Sequence, residues 1–239
     1  MNILVTNDDG IGAEGIQVLA QAAAAFGKVT VVAPLSQCSA MSHRITLGRA
    51  LEVEECPFPV EGVTAFSVDG TPADCVKAAL DVLMKEKPDV VLSGINNGYN
   101  IGFDILYSGT VGAAMEALMN GIPAIALSRN DVGTFETTQA YIGQILERLL
   151  QEAPSSREIW NVNFPGESAK GILWDRSVAT CGGYYSGSLR AGFKGGKTVL
   201  QYPPMLDVDN SVPRGAGDSD LNAVIRGYIS VGKVLCPVL

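Results

Sequence analysis

Two adjacent carboxylates, Asp8 and Asp9, stand at the end of an apolar, β-branched run in "ILVTNDDGIGAEGIQVLA" (residues 3–20). Gly10, Gly12 and Gly15 follow, spelling G-x-G-x-x-G, and a helical pattern begins. That fingerprint can cradle the pyrophosphate of a dinucleotide. Such a site needs an acidic residue about 20 positions further on, at the end of the second strand, to hold the ribose hydroxyls. Here the second strand ends "VVAPLSQ", without a carboxylate. Two carboxylates at the first turn would also repel a pyrophosphate. The same pair suits a hard divalent cation, which takes oxygen ligands and keeps positions for water and a substrate phosphate. The plainer alternative is helix capping, for which one Asp suffices.

Three further stretches carry groups that could meet the pair. "SGINNGYN" (93–100) supplies Asn96, Asn97 and Asn100 as neutral oxygen ligands or phosphate donors. "LYSGTVGAAMEA" (106–117) puts Ser108, Gly109 and Thr110 at a helix start. Backbone N–H groups and hydroxyls there bind anions without Lys or Arg, although an ordinary N-cap accounts for one hydroxyl equally well. "PLSQCSAMSHRIT" (34–46) brings Ser36, Ser39, Ser42 and His43, the one histidine of the chain. His43 could donate to a phosphate or a leaving oxygen, but a solitary loop histidine needs no catalytic role. "DGTPADC" (69–75) is a helix start with Pro72 and Asp74 in its first turn. Cys38 and Cys75 have no basic cluster beside them and are expected to be inert thiols.

The elements that must position these groups alternate. Apolar runs at 2–6, 28–33, 89–94, 123–128 and 158–164 are predicted strands. Helical spacing predicts helices over 13–26, 72–86, 110–120 and 135–153. The alternation implies an α/β fold: a doubly wound, Rossmann-like, mostly parallel sheet with right-handed crossovers. Ligands of such sheets bind beyond the carboxyl ends of the strands, where the loops above gather. The pattern changes after Pro165. Residues 176–217, rich in glycine and tyrosine, read as hairpins or an excursion arm, and regular structure resumes over 218–239 with "GYISV" as a strand. No internal boundary is evident, so residues 1–239 are expected to form a single α/β domain.

Composition narrows the partners. The chain has 239 residues, 47% of them apolar, enough for one large core. A net charge of −8 with only 17 basic residues argues against duplex nucleic acid as a partner. A small phosphate substrate stays possible, because a bound cation reverses the local sign. "MNILVTNDDG" shows no secretory signal pattern, and no run of about 18 apolar residues suggests a membrane span. Five scattered cysteines without a C-x-x-C pair point to a reduced, cytoplasmic protein.

Taken together, the blocks "ILVTNDDG", "GIQVLA", "VTVVAP", "CSAMSHRITL", "GTPADCV", "PDVVLSGINNGYNIGFDILYSGTVGAAMEA" and "IPAIALS" resemble the SurE-type (survival protein) nucleotidases. These are metal-dependent phosphatases acting on nucleoside monophosphates. The blocks run in order through residues 1–128, and the combination of N-D-D-G, S-G-I-N and Y-S-G-T-V is what is specific. The resemblance implies one divalent metal ion per subunit, Mg²⁺ or Mn²⁺, held by Asp8, Asp9, Ser39 and Asn96. It implies phosphate contacts near Asn96, Ser108, Gly109 and Thr110, with Asp8 or Asp9 able to take the proton of the attacking water. It further implies a homodimer or homotetramer in which the C-terminal segment, 218–239, is used. The chain departs from the family pattern at Ala40, where a glycine is usual, and in its tail, "SVGKVLCPVL". The expected reaction is hydrolysis of nucleoside 5′-monophosphates, with 3′-monophosphates and short polyphosphate as further candidates. The rival from another class is a metal-dependent nucleotide sensor that releases no phosphate. A phosphatase with an aspartyl-phosphate intermediate is disfavoured, since it usually wants carboxylates two residues apart.

Overall fold

Each central strand is a short apolar run whose side chains alternate between two faces, and both faces are covered by helices. In the computed structural model, which describes residues 1–152, 154–166, 168–181, 189–201 and 217–239, β1 (Asn2–Thr6) sends Ile3 and Val5 to one face and Leu4 to the other. The first face packs against α1 (Glu14–Ala23) and α4 (Glu136–Leu149) through Ile16, Leu19, Ile145 and Leu146. The second packs against α2 (Pro72–Ala78) and α3 (Gly109–Met119) through Val76, Val111, Ala114 and Ala117. Burying each of the larger aliphatic side chains stabilises the fold by roughly 1.5–3 kcal/mol.

The remaining strands are β2 (Lys28–Pro34), β3 (Val53–Glu55), β4 (Thr64–Val68), β5 (Val90–Asn97), β6 (Ala124–Arg129), β7 (Glu158–Phe164), β8 (Ile172–Arg176) and β11 (Ile229–Leu235). They join β1 in one sheet ordered β3-β4-β2-β1-β5-β6-β7-β11-β8. From β4 to β7 every pairing is parallel, while β3 and β11 run antiparallel to β4 and β7. The chain winds outward from β1 to β2 and β4, then returns to β5 on its other side. The carboxyl ends of β1 and β5 therefore flank the switch point, where open sheets form a crevice. This is the doubly wound α/β sheet that the sequence predicts. A separate antiparallel hairpin, β9 (Arg190–Lys194) with β10 (Lys197–Gln201), falls inside the expected arm. The rest of that arm at 182–188 and 202–216 lies outside the described residues.

Three local readings change. The helix expected over 72–86 ends at Ala78 and continues as a π-helical turn, Ala79–Leu83. The Met84 N–H bonds the Ala79 carbonyl, five residues back, and Pro88 disfavours helix at Lys87. β3 and β4 extend the sheet on one side, and β8 closes it on the other, where no strands were expected.

Besides the pairing of β11, a buried carboxylate ties down the C-terminal segment. Asp220, the first residue of α5 (Asp220–Ile225), accepts N–H bonds from Gly102 (3.0 Å), Ala179 (2.9 Å) and Leu221 (2.7 Å). Gly102 belongs to the short 3₁₀ segment, Gly102–Leu106, that leads into α3. Asp220→Ala orphans these donors and is expected to cost about 3 kcal/mol or more of unfolding free energy, read by urea titration.

Candidate active site

The turn after β1 is set by Asn7, fully buried, whose Nδ2 donates to the Gly10 carbonyl (2.9 Å) and whose Oδ1 accepts the Gly10 N–H (3.2 Å). Asp8 and Asp9 leave this turn toward different elements. Asp8 is buried against the start of α3, where Thr110 Oγ1 donates to its Oδ1 at 2.5 Å. Asp9 is half-buried against the end of β5: its Oδ2 accepts the Asn97 N–H (2.9 Å), and its Oδ1 accepts from Gln37 Nε2 (3.4 Å). Two glycines allow these approaches. A Cβ at Gly15 would lie 2.1 Å from the Ile95 carbonyl oxygen, so only glycine lets α1 pack against the strand end that carries Asn96. A Cβ at Gly109 would lie 2.9 Å from Asp8 Cβ and 3.2 Å from Asp8 Oδ2. Gly12, by contrast, faces nothing within 4 Å, which leaves the dinucleotide fingerprint without a structural role at its second glycine.

The electrostatics follow from burial. Desolvation raises the Asp8 carboxyl from 3.8 to about 6; the Thr110 hydroxyl opposes the rise and the neighbouring charge of Asp9 adds to it. Asp9 is also raised, again by burial, against the pull of the Asn97 and Gln37 donors. Two adjacent carboxylates kept in a partly dry crevice strain against their own ionisation. A cation relieves that strain.

The donor set fits a hard divalent ion. Two carboxylates with neutral oxygens beside them are the kind of set Mg²⁺ and Mn²⁺ accept. Asn96, half-buried, spends its Nδ2 on the Gly98 carbonyl (2.7 Å), which leaves Oδ1 as its oxygen for a cation. Ser39 is exposed, one residue past Cys38, whose N–H donates to the Asp8 carbonyl (2.7 Å). That bond carries the loop after β2 to the Asp8 turn.

Several other candidate groups have partners within the scaffold. Ser108 is the N-cap of α3, its Oγ accepting the Val111 N–H at 3.1 Å. Thr110 spends its hydroxyl on Asp8. Asn100 is buried among β6 and β7 groups, with its Nδ2 on Ser128 Oγ and its carbonyl taking donors from Asn161 and Asn163. Ser42 donates to the Leu106 carbonyl (2.8 Å). His43 is committed to Glu116, Nε2 to Oε2 at 2.7 Å, with Lys77 Nζ 3.6 Å from the same carboxylate. The His43 hydrogen bond holds Glu116 below the usual carboxylate range, and the pair straps the Ser39 loop to α3. Asp74 completes a capping box with Thr71 and receives the Thr46 N–H, the structural role its position suggests. Cys38 and Cys75 are pushed up by burial and are poor nucleophiles.

Beside Asp9 opens a cleft of about 510 Å³, lined by Gln37, Asn97, Arg129, Thr134 and Phe135 among others. Arg129 and Gln37 were not anticipated from the sequence. The signal for Arg129 was there: a cation ending the apolar strand "PAIALSR".

A family model described as survival protein SurE matches residues 3–182. The chain belongs to the SurE family. Among its SurE relatives, a protein named 5′-nucleotidase SurE from Caldanaerobacter subterraneus subsp. tengcongensis is 38% identical over 241 residues, covering 98% of this chain and 91% of that one. Another of the same name, from Carboxydothermus hydrogenoformans, is 49% identical over 185 residues, covering 74% and 70%. The crystal structure of the SurE protein from Aquifex aeolicus superposes with a TM-score of 0.82 at 32% identity, over 100% of this chain and 95% of that one.

Proposed function

We propose that the chain is a 5′-nucleotidase: a metal-dependent phosphomonoesterase that hydrolyses nucleoside 5′-monophosphates to nucleoside and phosphate. The observation that carries this reading is the buried Asp8 beside Asp9 at the sheet's switch point, seated against the glycine start of α3. The relatives named 5′-nucleotidase supply the substrate class. Asp8, Asp9, Asn96 Oδ1 and Ser39 would hold one Mg²⁺ or Mn²⁺ ion. When bound, such an ion lowers the pKa of a water and screens the phosphate's charge.

The chain's own groups do the rest. One of the two aspartates takes a proton from the attacking water as the water oxygen bonds to phosphorus and the ester P–O bond breaks, and the departing ester oxygen takes up a proton from solvent water to leave as the nucleoside hydroxyl. The first turn of α3, Ser108 to Thr110, presents the positive end of its dipole to the charge gathering on the phosphate oxygens. Thr110 keeps Asp8 in place while this happens. Activity on 3′-monophosphates and short polyphosphate belongs to the same proposal. So does assembly as a homodimer or homotetramer through the arm and the C-terminal segment, which the exposed β9–β10 hairpin supports: Phe193 is 78% and Leu200 60% accessible. Residence in the cytoplasm accords with five free cysteines. No helix among the described residues is long and apolar enough to cross a membrane.

The test is phosphate release from a panel of nucleotides and short polyphosphate, with chelator and then with Mg²⁺ or Mn²⁺ restored. Release from 5′-monophosphates that chelator abolishes and metal restores is expected; binding without release would make the protein a sensor. Gly109→Ala should lower kcat by about tenfold or more by displacing Asp8, at a cost of about 1–3 kcal/mol in stability. Steady-state kinetics beside a urea titration separates the two effects.

A further inference from the structure

Asp9 is oriented by a backbone group, the Asn97 N–H at 2.9 Å, so its geometry depends on how firmly the end of β5 is held. That strand end is clamped from the neighbouring strand by one side chain. Arg129, the last residue of β6 and 4% exposed, donates from Nη1 to Asn97 Oδ1 at 2.5 Å. Its Nη2 donates to the carbonyls of Val132 (3.2 Å) and Gly133 (2.6 Å). The guanidinium plane lies over the Phe135 ring, 4.6 Å from its centre. Arg129 is thus fixed on three sides, by a loop, a ring and its own strand, and its remaining arm fixes Asn97. The backbone reinforces the clamp: Gly98 N–H donates to the Arg129 carbonyl (2.9 Å), and Asn96 and Asn97 pair in register with Ser128 and Arg129.

We propose that Arg129 is a positioning residue for the cation site, acting through Asn97 to set the Asp9 carboxylate and the adjacent Asn96. A planar guanidinium can make this forked set of bonds at once, whereas an ammonium cannot. Groups that hold a ligand from behind typically change metal affinity by 10–100-fold when removed. The inference rests on Asp8 and Asp9 being a cation seat, as argued above.

The experiment titrates Mn²⁺ into the metal-free protein and follows the electron paramagnetic resonance signal of the free ion, without any turnover. Arg129→Met keeps an unbranched stem beside Phe135 and removes the donors; Asn97→Ala removes the acceptor and keeps the backbone N–H. Each should raise the Mn²⁺ dissociation constant about tenfold, and the double variant should be no weaker than either, because both break one link. Wild-type affinity in Arg129→Met overturns the proposal. Multiplying effects in the double variant also overturn it, since Arg129 would then act only by packing its loop. If Arg129→Met does not fold, Asn97→Ala decides alone: tenfold weakening supports the link and unchanged affinity overturns it. A wild-type protein that takes up no Mn²⁺ sinks the cation seat and the proposal together. One that takes up Mn²⁺ yet releases no phosphate sinks the nucleotidase reading and leaves the Arg129 result readable.

Discussion

Asp9→Asn is expected to lower phosphate release from a nucleoside 5′-monophosphate by at least about 100-fold at saturating Mg²⁺ or Mn²⁺. Removing a residue that merely supports a metal ligand already costs about 10–100-fold, and Asp9 would be a ligand itself. The substitution is nearly isosteric. Asn can still accept the Asn97 N–H through its amide oxygen, so the fold should survive with its melting temperature little changed. What is lost is a negative charge at the one place where the sheet's switch point concentrates it. The control is Gln37→Ala, which removes the longer and exposed 3.4 Å bond to the other Asp9 oxygen and should cost no more than a few-fold. Asp9→Asn at wild-type rate, with metal present and the protein folded, would sink the scheme.

How far this site could be read in advance depends on the distance over which each contact is made. Asp8, Asp9 and their strand are local: an apolar run, a turn and a helix start occupy fewer than two dozen consecutive residues, and each feature has its own short-range signal. Gly109 and Thr110 were legible as a helix start, but not as the seat of Asp8. That contact joins residues 102 apart in the chain, and a Thr at the start of a helix does not announce whether it will cap, bind phosphate or hold a carboxylate. Asn100 misled for a related reason. It shares a glycine-broken loop with Asn96, yet the register of β7 places Asn161 and Asn163 where they capture its backbone. The alternation "NVNF" was the visible half of that arrangement.

The sheet's outer strands escaped for a different reason. "TAFSV" is a fair strand run, but it sits within "CPFPVEGVTAFSVDG", where Pro and Gly punctuate every few residues and read as loop. Its burial against β2 supplies the stabilisation that local propensity lacks, and β3 then forms on β4 as an edge, with all three of its residues exposed. The strap of His43 to Glu116 needed the same long-range knowledge: 73 residues separate the partners.

The second large effect concerns stability and runs opposite to activity. Burial raises Asp8 from 3.8 to about 6, so in metal-free protein its ionisation opposes folding. The folded state binds this proton more tightly than the unfolded chain. The carboxyl therefore costs nothing below about pH 4; its contribution worsens as pH rises, and the full penalty is reached above pH 6. A shift of about two units corresponds to roughly 3 kcal/mol. Asp8→Asn removes the charge while keeping an acceptor for Thr110. Without metal, this variant should be more stable than the wild type by about 2–3 kcal/mol at pH 7.5 and indistinguishable from it near pH 4, while its phosphate release should fall well below the wild type's. Denaturant titrations at the two pH values, in chelator, measure the difference. Adding Mn²⁺ at pH 7.5 should close the gap by stabilising the wild type more than the variant, since the proposed cation seat would keep both its carboxylate charges only in the wild type. A wild type that stays more stable than Asp8→Asn in chelator at pH 7.5 would show that the buried carboxylate finds its compensation within the protein, and that the crevice is not built around a missing positive charge.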